Sequence, residues 1–258
     1  MNSNVLETTN NKVSETMNDK TAIARSIIKV AKFVSLEALT LVVILSIAHF
    51  ASIAHSAWKY SGSDQWELEL DKDGVKVYSL QSPDSALKKF KAVTRIKTTL
   101  NRAVAAMMDT DIQNCAEWID GCVNGKSDEP WNAQGLYFIH FFQVNYPPPY
   151  SPREFLVKTQ FTQDAKSKEV FVEFIAVPDR LPKNDCCFRV AHMHNSWRYT
   201  PLENGEIEVE HLEDLDNGTP YYQFNRMMPN AIYQLLCVLP MFLNKEKYQH
   251  ASFDFIKS

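Results

Sequence analysis

The C-terminal segment constrains the fold of this chain more than any other part. After the turn at residues 215–220, apolar side chains recur at helical spacing, which predicts one long helix with a wide apolar stripe. The stripe consists of Phe224, Met227, Met228, Ala231, Ile232, Leu235, Val238, Leu239 and Phe242. We therefore expect an α+β fold in which a curved antiparallel sheet wraps around the C-terminal helix. Such a fold can enclose a cavity, or its soft methionines can fill an irregular core.

The residues before this helix read mostly as strands. Apolar and polar residues alternate in most of this region, and short turns between the segments indicate antiparallel pairing. Strands are predicted at 66–70, 75–80, 90–96, 136–142, 155–161, 170–176, 186–199 and 207–213, and short helices at 100–108 and 111–119.

Composition argues against several classes of function. The chain has 258 residues and a net charge of −4, with no basic run, so nothing indicates a nucleic-acid partner. Only 7 glycines are present, and G-x-G-x-x-G, P-loop and G-x-S-x-G motifs are missing from the sequence. We therefore disfavour nucleotide-dependent enzymes and the common serine hydrolases, and we expect no cofactor.

The N-terminal region predicts a segment directed to a membrane. Residues 1–24 are polar and are expected to be disordered, whereas residues 25–60 contain an apolar stretch that is densest at Leu39–Ala48. This stretch fits a signal peptide, with Ala54-His55-Ser56 as a small-x-small cleavage site, or a retained transmembrane anchor. Basic residues before it and acidic residues after it would place the main domain on the non-cytoplasmic side. A buried amphipathic helix is the alternative.

The 5 cysteines form no C-x-x-C motif. Cys186 and Cys187 fall in a predicted strand, where adjacent side chains point to opposite faces, so we expect them to be poor partners for each other. Cys115 and Cys122 are the local disulfide candidate. Buried free thiols are the favoured interpretation.

Four stretches, in this order and at this spacing, resemble the START (steroidogenic-acute-regulatory-related lipid-transfer) domain family from about Trp66 to Leu243. They are Asp71–Tyr78, similar to the opening hairpin; Glu117-Trp118, at the end of the second short helix; Pro147–Phe155, similar to a proline-led Arg-Asp-Phe segment with Glu154 for Asp; and Leu215–Pro220, similar to an Asp-x-Gly-x-x-Pro turn with one residue fewer. The resemblance implies a helix-grip fold for residues 61–258 and an interior tunnel for one lipid. It implies lipid transfer or sensing at a membrane and no catalysis.

The predicted lipid-contact residues are mainly apolar: Phe138, Phe142, Phe155, Phe161, Phe174, Phe224, Met227, Met228 and Leu235. His140 and Thr159 are polar positions on otherwise apolar faces. A polar group in an apolar interior is costly unless it is hydrogen-bonded, so we expect both to contact a lipid head group, with satisfied core residues as the alternative. Sterol-carrying members of the family often have an arginine and an acid near these positions, so the lipid class stays open.

Arg153 follows Pro152 at the start of a predicted strand. Its planar guanidinium suits a phosphate or carboxylate head group. Because it lies where the strand begins, a structural ion pair with a neighbouring loop or helix is the favoured interpretation.

A group of histidines offers an enzymatic alternative. His192 and His194 share a strand face, and His211 lies on the next strand. With His140 they could serve a cyclase- or hydrolase-like relative within the helix-grip superfamily, with or without zinc. We disfavour a metal site, since no acid is placed as a catalytic base. A membrane-tethered interaction domain with a filled core is a third alternative.

Two prolines, Pro229 and Pro240, fall inside the final predicted helix. Each removes a backbone donor and is expected to bend or break the helix. The Met228-Pro229 step is therefore a candidate hinge for a lid, with a static kink as the alternative.

Overall fold

A large sheet dominates the computed structural model, which describes residues 65–257. Its strands are β1 (Glu67–Lys72), β2 (Val75–Gln81), β3 (Lys88–Ile96), β4 (Cys122–Asn132), β5 (Tyr137–Val144), β6 (Arg153–Gln163), β7 (Val170–Ala176), β8 (Phe188–Arg189), β9 (His192–Pro201), β10 (Ile207–Glu213) and β11 (Leu215–Asp216). Hydrogen-bonded neighbours follow the order β1-β2-β3-β10-β9-β7-β6-β5-β4, while β11 pairs with β9 and β8 with β6. All but the β6–β8 pairing are antiparallel, as the short turns predicted.

The α-helices of this range are α1 (Leu100–Met108), α2 (Ile112–Trp118) and α3 (Tyr221–Leu243). Thr99 starts α1, since its side-chain oxygen accepts a hydrogen bond from the Arg102 amide at 3.3 Å. The long helix α3 follows Pro220 and continues through Pro229 and Pro240. The expected break is therefore not observed, although each proline still deprives one carbonyl of its helical donor.

One face of the sheet, here called the inner face, carries the core. Alternate residues of neighbouring strands are aligned there by the register; one row consists of Val77, Ala92, His211, Trp197, Val172 and Phe161. The helix α3 covers this face with Phe224, Ile232, Leu236, Leu239, Phe242 and Leu243, all buried. Burying each of these side chains contributes roughly 1.5–3 kcal/mol, so most of the cohesion between sheet and helix comes from this contact.

The apolar stripe of α3 is wider than the face that the sheet covers. Met227 and Val238, both in the predicted stripe, are exposed, as is Met241. Leu236, outside the predicted stripe, is almost fully buried. The helix is therefore rotated so that one edge of the stripe faces outward.

The predicted strand at 186–199 is divided in two. Residues 186 and 187 lie in a turn, β8 then pairs in parallel with the start of β6, and β9 begins at His192. Cys186 and Cys187 form a disulfide with each other. The expectation that they are poor partners was wrong, because the alternation of side chains applies to a strand and not to this turn.

A second disulfide joins Cys115 to Cys122, the pair that the sequence marked as the local candidate. Together the two disulfides overturn the interpretation of buried free thiols. The remaining cysteine, Cys237, is free and exposed on α3.

A buried ion pair holds the segment before β9 against the sheet. The carboxylate of Glu154 accepts hydrogen bonds from Nε and Nη2 of Arg189 at 3.2 and 2.9 Å, and from the side-chain amide of Asn184. Burial raises the pKa of Glu154, but the hydrogen bonds from Asn184 and Arg189 outweigh it and leave the pKa below its ordinary value. Removing one partner of such a pair leaves an uncompensated buried charge, which is strongly destabilising.

The predictions for residues 1–24 and 25–60 lie outside the described residues. Among residues 65–257, no helix has the length and apolar character that a membrane crossing requires. The signal or anchor segment therefore stays a prediction.

Candidate ligand-binding site

Aromatic side chains line the inner face over β5, β6 and β7. The register places Phe142 opposite Phe155, and their rings stack with centroids 4.6 Å apart. The centroids of Phe138 and Phe161 lie 6.2 Å apart. Phe174 stands on the same face of β7 and is only partly buried. The five phenylalanines predicted on the sheet thus form one wall.

Two polar side chains interrupt this wall. Thr159 is fully buried, and its Oγ1 has no hydrogen-bond partner; the same is true of Nδ1 of His140. The imidazole of His140 lies between the rings of Phe138 and Phe142, with centroids 5.3 Å away on each side. A buried polar group without a partner costs about 1–3 kcal/mol. Both positions therefore suit a ligand group or a water that can hydrogen-bond to them.

His140 is desolvated and yet keeps uncovered surface. Burial lowers the pKa of His140 to about 4, because the charged imidazole loses its hydration. The residue is nevertheless only partly covered, as are Phe174 on β7 and Met228 and Leu235 on α3. A desolvated side chain with uncovered surface borders space that protein atoms do not occupy. These four residues leave surface that a guest molecule could cover.

The helix α3 contributes some of its predicted residues to this interior. Phe224 is buried, and its ring centroid lies 6.1 Å from that of Phe90. Met228 and Leu235 pack partly against the core. Met227 is 63% exposed and lies at the outward edge of the apolar stripe, so it does not join the others.

Arg153 ties the start of β6 to the turn before α3. Its Nε donates to the Asn217 carbonyl at 2.7 Å, and its Nη1 donates to the Ser151 carbonyl. The guanidinium also lies 4.5 Å from the ring centroid of Tyr146 and 5.3 Å from that of Phe188. These contacts favour the structural interpretation, with carbonyls and aromatic rings taking the place of the expected ion pair.

The sequence reasoning missed a polar cluster on β9 and β10, formed by Asn195, His211 and Glu213 and here called the Asn–His–Glu cluster. Nδ2 of Asn195 donates to Oε2 of Glu213 at 2.6 Å, and Nε2 of His211 lies 3.0 Å from the same oxygen. All three side chains are buried, and the imidazole stacks on Trp197 with centroids 4.1 Å apart. The alternation of side chains along each strand could have indicated this cluster, since Asn195 shares a strand face with Trp197, and Glu213 shares one with His211.

The predicted histidine group is not assembled. His192 and His194 lie on the outer face of β9, where Nε2 of each is 2.7 and 2.9 Å, respectively, from a carboxylate oxygen. His211 lies on the inner face, and His140 is separated from it by β6, β7 and β9. The histidine-dependent enzyme and the zinc site therefore lose the constellation on which they depended.

Among the described residues, one group has possible metal ligands within reach of each other: Glu154, Cys186 and Cys187. The two sulfurs are bonded to each other, and the carboxylate is held by Arg189. Their donor atoms are thus already engaged, and we derive no metal site from them.

Sequence comparison gives little detail. No protein-family model matches this chain. An uncharacterised protein of Pseudomonas aeruginosa is 24% identical over 156 residues, which cover 60% of this chain and 74% of that protein.

Solved structures identify the fold. A STAR-related lipid transfer protein from Xanthomonas axonopodis superimposes with a TM-score of 0.63 at 21% identity, covering 70% of this chain and 100% of that one. Human StAR-related lipid transfer protein 5 gives a TM-score of 0.58 at 12% identity, covering 77% and 96%. The lipid transfer and protein localization domain of human StarD13 gives 0.54 at 16% identity, covering 78% and 95%. This chain therefore has the helix-grip fold of START domains, as the sequence resemblance implied.

Proposed function

We propose that this protein binds one lipid between α3 and the inner face of the sheet, for transfer or sensing at a membrane. The interior around His140 and Thr159 carries the proposal, because polar atoms without partners lie there in an aromatic wall that is partly uncovered. Burying an acyl chain stabilises by about 0.8 kcal/mol per methylene, so this wall can hold a long chain with few polar contacts. The START-fold structures described as lipid transfer proteins support the same function.

The proposed contacts follow the geometry. His140 and Thr159 hydrogen-bond the polar part of the lipid, and Arg153 keeps the turn before α3 in place. The chain of the lipid meets the apolar wall of Phe138, Phe142, Phe155, Phe161, Phe174, Phe224, Met228 and Leu235. Met227 faces away from this wall and is left out.

The proposal includes a sheet that curves around α3 and an N-terminal segment, residues 25–60, that acts as a signal or anchor. The main domain would then lie on the non-cytoplasmic side. Cell fractionation of the full chain tests this: we expect it in the membrane fraction, or exported in a form shortened near residue 56. An uncleaved full-length chain in the cytoplasmic fraction would contradict it.

Native mass spectrometry of the full chain, together with uptake from vesicles that carry labelled lipid, tests the binding function. We expect one lipid per chain. Phe174→Trp should reduce uptake several-fold, because the larger ring fills the uncovered space. Phe171→Trp is the matched control, since Phe171 lies on the outer face of the same strand. Wild-type protein that carries no lipid and takes none from vesicles would overturn the proposal.

A further inference from the structure

The Asn–His–Glu cluster lies in line with Thr159, a proposed head-group contact. The register pairs Thr159 with Phe174 and Phe174 with Asn195. The side-chain amide of Asn195 in turn reaches Glu213. This row therefore crosses the inner face from β6 to β10 and carries polar side chains on β6, β9 and β10, with Phe174 between them on β7.

The Glu213 end of this row lies near the first turns of α3. Glu213 pairs across the strands with Phe90, and Phe90 contacts Phe224 near the start of the helix. The cluster thus shares the part of the interior where Met228 is only partly covered.

Neighbouring backbone groups fix the orientation of the cluster. Oδ1 of Asn195 accepts a hydrogen bond from the Asp214 amide at 2.9 Å, so its nitrogen is the atom that faces Glu213. Nδ1 of His211 lies 3.1 Å from the Ser196 carbonyl oxygen. Because a carbonyl can only accept, this nitrogen carries a proton.

The contact between Nε2 of His211 and Oε2 of Glu213 needs one more proton. Either an imidazolium donates to a carboxylate, or a protonated carboxyl donates to a neutral imidazole. In both arrangements the pair has no net charge, and Oε1 of Glu213 is an acceptor.

That second oxygen is unused by the protein. Within residues 65–257, the hydrogen bonds to the Glu213 carboxyl group end on Oε2 and none reaches Oε1. The side chain keeps 11% of its surface accessible, although the residue belongs to the inner face. Oε1 is not one of the fully buried atoms that lack a partner, so it keeps accessible surface and a ligand that brings a donor can hydrogen-bond to it.

We propose that Oε1 of Glu213 accepts a hydrogen bond from an uncharged lipid head group bearing a hydroxyl or an amide N–H. The oxygens of a phosphate head group are acceptors and could not donate to Oε1 of Glu213. The cluster has no net charge, so it also supplies no positive charge to balance the anion. The inference rests on the proposed function, since it requires a lipid in the interior.

Vesicle uptake by the full chain tests the inference with paired probes that differ in one donor. Phosphatidylcholine vesicles carry either labelled diacylglycerol or its O-methyl ether, and either labelled cholesterol or its O-methyl ether. A second set carries labelled phosphatidylcholine alone. We expect at least one hydroxyl form to be taken up about tenfold more than its ether, because one buried hydrogen bond is lost.

Glu213→Gln should remove most of this preference while uptake of the ether persists. Glu210→Gln is the matched control, because Glu210 lies on the outer face of the same strand, 3.6 Å from Arg198. The inference is overturned if the hydroxyl and ether forms are taken up equally, or if phosphatidylcholine is the only probe that is taken up. Either result leaves the proposed function standing. If wild-type protein takes up none of the probes, the proposed function fails with it.

Discussion

The two halves of α3 face different interiors. Under the C-terminal half, the indole of Trp118 stacks on Phe242 at 4.7 Å and meets Trp197 edge-on at 6.2 Å. Leu236 and Leu239 are essentially fully buried beside them. This half is packed like an ordinary protein core.

The N-terminal half buries fewer side chains: Phe224 and Ile232, against Leu236, Leu239, Phe242 and Leu243 in the C-terminal half. Phe224 meets Phe90, Met228 is only partly covered, and the Asn–His–Glu cluster ends in an unused acceptor at Glu213. This half contributes less to stability, and it leaves an acceptor and apolar surface that a ligand could contact.

An unpaired polar atom does not by itself distinguish the halves. The hydroxyl of Tyr199, which stacks on Trp197 in the packed half, also lacks a partner, and burial raises its pKa. Tyr199 and Thr159 are both 0% exposed, whereas His140 and Phe174 keep uncovered surface. Nε1 of Trp118, under the C-terminal half, also lacks a partner, so the two halves differ in the apolar side chains that they bury and not in unpaired polar atoms.

The largest expected effect is on stability. Phe242→Ala should lower the free energy of unfolding by about 3–5 kcal/mol, because it opens a cavity against Trp118. Met241→Ala, on the exposed side of the same turn, should change it by less than about 0.5 kcal/mol. Urea unfolding measures both. Lipid uptake per folded molecule should stay unchanged in both variants. A stable Phe242→Ala variant that no longer takes up lipid would show that the C-terminal half of α3 is needed for binding.

The second effect is a pH dependence that comes from His140 in the aromatic wall. The pKa of His140 is lowered from 6.5 to about 4, so the unfolded chain takes up a proton at a higher pH than the folded one does. Stability should therefore fall as the pH drops from about 6.5 toward 4, by on the order of 3 kcal/mol at most from this group. His140→Leu should remove that part of the slope in urea unfolding curves. The exposed His250 provides the control as His250→Leu; equal slopes for both variants would show that His140 is not desolvated.

The smallest effect is a difference in local opening along α3. Amide hydrogen exchange should give residues 224–232 an opening free energy about 1–2 kcal/mol below that of residues 236–243, because the first half buries fewer side chains. Bound lipid should remove the difference. If residues 224–232 are as protected as the central strands with and without lipid, the hinge at Met228-Pro229 does not operate.

Local patterns predicted the elements that depend on local rules. The helix at 100–108 and the strand at 170–176 match to the residue, because amphipathic periodicity defines each of them. The predicted strand at 186–199 failed because β8 depends on tertiary contacts, above all the Arg189–Glu154 pair, which no local pattern contains.

The candidate site was predicted only in part, again because local patterns do not contain tertiary contacts. Polar residues in phase with apolar ones identified His140 and Thr159, and the same rule applied to β9 and β10 would have identified Asn195 and Glu213. Met227 was placed on the wrong side, because periodicity gives the width of an apolar stripe but not which part of it the sheet covers.

The turn before α3 has little freedom. Arg153 holds the carbonyl of Asn217, and the ring of Phe188 occupies the space that a side chain at position 218 would need, 2.8 Å from where a Cβ on Gly218 would lie. An alanine at that position would also be strained, since Gly218 has a φ of +72°.

Both tips of the long helix are thus anchored, one by this turn and the other by the stacking of Phe242 on Trp118. Pro229 lies between them, where the helix lacks one backbone hydrogen bond. If a lipid binds as proposed, we expect it to enter from the side, beneath these middle turns, so that the opening there limits the size of the lipid.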